Sequence, residues 1–277
     1  ESGVARVTGL ANYGDDIRLQ MPEDTLELAP VISDVAHAKL LEVDFSHALK
    51  LPGVAGVVTA KDIKGTNRIA IAVGHPRSQA LGIERPIICD DKIFKYGDII
   101  AVVAADTQEH ARAAAKAVKV HYEQLPEYMD QLEAMLPDSV EIHEGIPNVF
   151  LKWPLHKGED TRKIMQESDH TAEGSFYSTR EPHLPIEPDV VQAYMGEDEV
   201  LTIQYKSQFV YALGWMAAEG LGYPSEKIRV IENETGGSFG YSVSPVTPAL
   251  AAACTLALGK PVNMTLTYAE HQHITGK

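Results

Sequence analysis

Apolar residues along the chain cluster into short runs of two different periods, and those periods predict a mixed α/β protein. In residues 38–43, Leu40, Leu41 and Val43 make a compact strand-like stretch, and 45–49 reads as a short helical turn. Leu51-Pro52-Gly53 breaks the chain, after which the β-branched run at 54–59 predicts a strand. Residues 65–85, rich in Gly, Pro, Ser and Asn, hold no sustained period and read as a long loop. Residues 99–104 are apolar without interruption, the mark of a strand covered on both faces. Asp106 and Glu109 have the spacing of an N-cap and its partner, so an alanine-rich helix is expected from 107 to 118. Residues 118–123 alternate as a half-exposed strand that Leu125-Pro126 ends, completing a β-α-β unit.

The second half repeats the mixture without repeating the sequence. A helix at 162–168 and a strand at 171–176 open it, and strands follow at 190–195 and 200–205. A helix from 210 to 220 is terminated by Gly222 and Pro224. The strand at 228–231 runs straight into Glu234-Thr235-Gly236-Gly237-Ser238-Phe239-Gly240. Thr247-Pro248 opens a helix through Leu258 with Gly259 just past its end, and 261–268 reads as the last strand. Residues 129–160 carry prolines, glycines and scattered acids with no firm period, too long a connector for the interior of one domain. The expected architecture is therefore α/β throughout: a domain over 1–128, a linker over 129–160, and part of a second domain over 161–277.

Composition narrows the function classes. A length of 277 residues suits about two domains. Acids outnumber bases by 39 to 24 for a net charge of −15, which repels phosphate backbones and anionic lipid heads, so no nucleic-acid or membrane partner is expected. Cys89 and Cys254 are the only cysteines, too few for a disulfide framework or an iron–sulfur cluster held by this chain alone. They read as buried thiols in a reducing compartment, the cytoplasm. No run reaches the ~18 apolar residues of a membrane span. The first residues lack the layout of a secretory signal and the last follow an apparent strand directly, so the chain is expected to be a piece of a larger assembly.

The glycine cluster at 236–240 is the first candidate site. Glycines after a strand let the backbone approach a ligand and present N–H groups to it. The order is neither that of a dinucleotide fold nor that of a phosphate loop, and spacing alone favours a tight ligand-free bend. His183 and Glu187 stand four apart, but Pro182, Pro185 and Pro188 oppose a helix there, so a zinc pair is rejected. His37, His47, His110 and His121 lack a second ligand nearby, and Glu23-Asp24 and Glu197-Asp198-Glu199 read as solvated turns.

Taken together, Lys206-Ser207-Gln208, the helix after it, Ile228-Arg229-Val230 and Gly236-Gly237-Ser238-Phe239-Gly240 resemble the molybdenum-binding region of the xanthine dehydrogenase and aldehyde oxidoreductase family. Leu51-Pro52-Gly53-Val54, Val58-Thr59-Ala60-Lys61-Asp62-Ile63 and the run from Tyr96-Gly97-Asp98 through Glu123 resemble the family's small α/β hammerhead domain. Ile186-Glu187-Pro188 and Thr275-Gly276-Lys277 fit as well, so the resemblance covers nearly the whole chain. Gly236 to Tyr241 is similar to the Gly-Gly-x-Phe-Gly-Tyr of bacterial aldehyde oxidoreductases.

What the resemblance implies is a fraction of a molybdenum hydroxylase that converts aldehydes to carboxylic acids with water as the oxygen source. The metal is held by the dithiolene of a molybdopterin, here of the cytosine dinucleotide form, with no protein side chain as direct ligand. By motif position Gln208 would hydrogen-bond the apical oxygen of molybdenum, and Gly236, Gly237, Ser238, Phe239 and Gly240 would line that oxygen and the pterin; by residue type alone Gln208 reads as an exposed amide at a strand end. The family's general-base glutamate belongs to a late segment, so no catalytic residue is expected in this chain; Glu187 is the tempting substitute but matches a different, structural position. Purine-oxidising members carry a glutamate four residues past the motif phenylalanine. Here that position is Val243, which suits an aldehyde, although simple packing explains it equally. Tyr241 and Phe239 would supply aromatic walls, and polar residues around His271-Gln272-His273 approach the cofactor in relatives. Iron–sulfur clusters and FAD would lie on other segments or subunits, which would cover the partial domain in an oligomer. Competing readings are a xanthine or azaheterocycle dehydrogenase portion and a non-catalytic assembly module.

Overall fold

The computed structural model describes residues 2–69, 85–149, 152, 154–179 and 181–275. Two short helices, α1 (Ser2–Val7) and α2 (Gly14–Arg18), precede strands β1 (Leu26–Ile32), β2 (Ala38–Asp44), β3 (Val54–Val58), β4 (Lys92–Ile93) and β5 (Ile99–Ala105). Helix α3 (Gln108–Ala115) leads to β6 (Lys119–Gln124), and α4 (Gln131–Ala134) and α5 (Thr161–Glu167) lie in the connecting region. Strands β7 (Val190–Met195) and β8 (Leu201–Tyr205), helix α6 (Val210–Leu221), β9 (Ile228–Glu232), α7 (Val246–Leu258), β10 (Val262–Thr265) and α8 (Tyr268–Ile274) complete the chain.

The strands form a seven-stranded sheet in the order β3-β5-β1-β10-β7-β8-β9 and a three-stranded sheet in the order β4-β2-β6. The larger sheet is mixed: β1–β10 and β8–β9 run parallel, the other neighbours antiparallel. It draws strands from both sides of the 129–160 connector, joined where Leu26 and Glu27 pair with Val262 and Asn263. All seven residues of β5 are buried, as an uninterrupted apolar run requires. The first ten residues of α7, from Val246 to Thr255, are also buried, and their alanines let the helix lie close to the sheet.

Most expected elements occur within a residue or two of their predicted bounds, and three stretches differ from expectation. Helix α3 ends at Ala115, three residues short of the expected 118. The N-cap of α3 is Thr107, whose hydroxyl accepts from the His110 amide, while Asp106 turns its carboxylate to His110 Nδ1 at 2.6 Å. Residues 171–176 form no strand: Phe176 is 98% exposed, and no strand among the described residues pairs with it. The stretch 261–268 splits, because Thr267 and Glu270 make a capping box that starts α8 where a continued strand was expected. The predicted 65–85 loop lies for the most part outside the described residues.

Strand β1 escapes a pattern reading because Glu27 and Pro30 interrupt it. Both are accommodated: β10 pairs only with Leu26 and Glu27, so Pro30 lies beyond it, where one side of β1 has no ladder neighbour. Asn263 Nδ2 donates to the Glu27 carboxylate at 2.7 Å. Cations of the first half fasten α8: Arg112 reaches both carboxylate oxygens of Glu270 and the Thr265 carbonyl, while Arg85 and Lys95 donate to the carbonyls of Ile274 and His273.

Candidate functional site

The loop after β9 holds three of its residues in the left-handed region of the backbone. Gly237 and Gly240 have φ of +113° and +105°, and between them Phe239 holds φ +55°, a left-handed conformation that a bulky residue seldom adopts. Phe239 is 73% exposed. Backbone strain kept at such a place points to function. The strain is held by Ser238, whose hydroxyl donates to Gln208 Oε1 at 2.7 Å, lies 2.6 Å from Ser242 Oγ, and accepts the amides of Gly240 and Ser242 at 3.3 Å each. Gln208, three residues past the end of β8, donates its own amide to the Ser242 carbonyl. The end of one strand and the loop after the next are thereby locked through one buried serine.

This locking leaves donors free. Gln208 is exposed and its Oε1 is occupied, so its Nε2 hydrogens face outward; they donate to no group among the described residues, nor do the amides of Gly237, Ser238 and Phe239. Consecutive amides around left-handed residues form a concavity that receives anionic oxygen. Neutral amides, with no thiolate or imidazole among them, match an oxygen-bearing group better than a bare divalent cation. The residues present therefore fit an oxo-bearing, anionic cofactor.

Beneath the loop lies a buried polar floor. Lys206 is 1% exposed; its Nζ donates to the carbonyls of Glu187 and Pro188 at 2.8 and 2.9 Å and stands 3.1 Å from Glu187 Oε2. Burial pulls the Lys206 ammonium below its ordinary pKa, and the charges of Glu187 and Asp189 oppose that pull. Asp189 accepts from the Thr247 hydroxyl at the start of α7; burial pushes its pKa up to about 6 against the hydrogen bond and Lys206. Tyr241 is buried with its ring edge-on to His271 at 4.4 Å and 5.3 Å from Lys206 Nζ. His271 is buried, with neither ring nitrogen partnered among the described residues; desolvation first, then the charge of Lys206, lowers its pKa to about 4.

The structure gathers Gln208, Gly236, Gly237, Ser238, Phe239 and Gly240 in one place, with Tyr241 beneath them and Val243 half-buried on the turn that follows. His271 reaches the same floor from α8. Sequence reasoning missed Asp189 and Ser242 and took Lys206 only as part of the Lys206-Ser207-Gln208 motif, not as a buried ion pair.

A fold that joins two α/β units in one sheet, with a glycine loop and a glutamine presenting amides, has a match among known families. The model for the aldehyde oxidase and xanthine dehydrogenase a/b hammerhead domain matches residues 8–126, and that for the molybdopterin cofactor-binding domain matches 142–277. The chain belongs to the aldehyde oxidase and xanthine dehydrogenase family. It is 47% identical over 276 residues to the aldehyde oxidoreductase of Megalodesulfovibrio gigas, covering 100% of this chain and 30% of that protein. It is 33% identical to the xanthine dehydrogenase/oxidase of Gallus gallus, covering 99% of this chain and 19% of that protein. The solved aldehyde oxidoreductase from Desulfovibrio gigas superposes with a TM-score of 0.93 at 46% identity, over 98% of this chain and 30% of that one. The chain thus spans about a third or less of the length of these relatives.

Proposed function

We propose that this chain is the molybdopterin-binding portion of a hydroxylase that oxidises aldehydes to carboxylic acids with oxygen from water. The observation that carries the reading is the row of unpartnered amides at 237–239 beside the free Nε2 of Gln208. The bound molybdenum–pterin group supplies the two-electron oxidation. The chain's own residues bind and orient: Gln208 Nε2 and the loop amides donate to oxygen on that group, and donors already in place stabilise negative charge without reorganising. Phe239, exposed above the loop, and Val243 on the turn after it present apolar surface to substrate. Val243 cannot pair with ring nitrogens, which favours an aldehyde over a purine.

The finer assignments belong to the same proposal. The pterin is of the cytosine dinucleotide form, and the general-base glutamate lies outside these residues. Iron–sulfur clusters and FAD sit on other segments or subunits of an oligomer, because Cys89 and Cys254 are both buried and free and cannot house a cluster. No helix among the described residues is long and apolar enough to cross a membrane, and the unpaired thiols suit the cytoplasm. Residues 1–128 and 161–277 are the two functional segments, with 129–160 as the connector between them.

Molybdenum and pterin analysis of the intact protein, with turnover of aldehydes and of purines side by side, tests the reading. The expected result is about one molybdenum and one pterin per protein and turnover of aldehydes only. Purine turnover supports a xanthine-dehydrogenase portion, and absence of both molybdenum and pterin supports an assembly module; either overturns the proposal.

A further inference from the structure

Glu187 stands at the junction of three chain segments. Its Oε2 accepts the Gly236 amide at 2.8 Å and faces Lys206 Nζ, its Oε1 accepts the Gly14 amide at 3.0 Å, and its own amide donates to the Gly236 carbonyl at 3.4 Å. Lys206 spends all three ammonium hydrogens within the cluster, on the carbonyls of Glu187 and Pro188 and on the Glu187 carboxylate. The contact is close enough to dictate residue type: a Cβ on Gly236 would fall 2.5 Å from Glu187 Cβ, and one on Gly14 would fall 2.7 Å from Val190 Cβ. Gly14 is held from the other side too, where its carbonyl accepts from the buried Gln192 side chain.

We propose that the Glu187–Lys206 pair is a positioning clamp that sets the Gln208 strand end and the Gly236–Gly240 loop at their working separation and ties both to the amino-terminal segment at Gly14. Lys206 lies two residues before Gln208, and Glu187 bonds the first glycine of the loop in both directions, so one ion pair reaches both halves of the site. A buried pair of this kind adds little net stability, since desolvation offsets its attraction, and what it does supply is a single geometry. Glu187 has no oxygen left for chemistry: both are engaged by amides, and one also faces the ammonium. This inference rests on the reading of the loop as the cofactor site.

The test uses the intact protein carrying Glu187→Ala, with Glu187→Gln as a milder variant that keeps an acceptor and loses the charge. Amide hydrogen exchange is followed in peptides covering Gly14, residues 234–242 and β5, and molybdenum is measured per protein. With the clamp, Glu187→Ala speeds exchange about tenfold or more at Gly14 and at Gly236 together, as expected for loss of a charge-assisted bond. Exchange in β5 stays unchanged, molybdenum content falls, and Glu187→Gln gives a smaller effect in the same two peptides. Should Glu187→Ala loosen β5 as well, Glu187→Gln alone is scored. Unchanged exchange at Gly14 and 234–242 overturns the clamp, whatever the molybdenum content. Faster exchange with full molybdenum content leaves the clamp standing and overturns the cofactor reading of the loop instead.

Discussion

Asp189 and His271 share the floor beneath the glycine loop and titrate in opposite senses. Asp189 has its pKa raised from an ordinary 3.8 to about 6, so the folded state binds more protons than the unfolded one between those values. Its contribution is fully present at low pH and is lost as pH rises through 6. His271 has its pKa lowered from 6.5 to about 4, so its contribution is present above 6.5 and is lost as pH falls through 4. Lys206 pulls both pKa values down. The two dependences cancel between about pH 4 and 6, and each single variant uncovers the other. The unfolding free energy of Asp189→Asn, from urea titration, should climb relative to the parent from pH 4.5 to 6, and that of His271→Leu should fall, each by on the order of 1–2 kcal/mol. Parallel curves for parent and variants would show that neither group titrates in the folded state as described. At this scale Gln208 and the 236–240 cluster stand out only through the family motif, since spacing alone suits a ligand-free bend and residue type alone an exposed amide. Glu187 and Lys206 enter through the same resemblance, Glu187 as a structural position, but their pairing and the place of Asp189 exist only in the folded chain.

Elements follow their patterns wherever burial is uniform. Strand β5 and helix α7 are recognisable from apolar runs and from Gly259 at the helix end, which takes φ +66°. Residues 171–176 carry strand composition without a strand, because a ladder needs a neighbouring edge, and the prolines that follow at 182, 185 and 188 remove donors. Helix α8 had a readable start in Thr267 and Glu270, but the apolar residues before it suggest a longer strand. The tie between α3 and α8 depends on a guanidinium fork: Arg112 Nη1 meets Glu270 Oε1 and Oε2 at 2.8 and 3.0 Å, and Nη2 meets the Thr265 carbonyl at 2.8 Å. Arg112→Met should cost about 1–3 kcal/mol in equilibrium unfolding of the intact protein, with Arg112→Lys recovering only part of it, since an ammonium cannot span three acceptors in that plane. Full recovery by lysine would mean that charge alone, rather than the fork, joins the helices.

The molecule as a whole is joined by the parallel pairing of β1 with β10, strands that come from opposite ends of the chain. No local pattern announces such a pairing, and the order of the larger sheet is for that reason the part of the fold least visible in sequence. Its consequence is functional: the sheet presents the ends of β8 and β9, with Gln208 and the glycine loop beyond them, over a floor that α8 completes with His271. Against a net charge of −15, the unpartnered loop amides are a local exception able to receive an anion, while the buried Lys206 is neutralised by Glu187. X-ray diffraction from crystals of the intact protein, recorded on both sides of the molybdenum absorption edge, tests the central claim most directly. The account predicts one strong anomalous peak beside the Gln208 side chain and the amides of residues 237–239. A peak elsewhere in the protein, with those amides bonded only to protein or solvent, would contradict it.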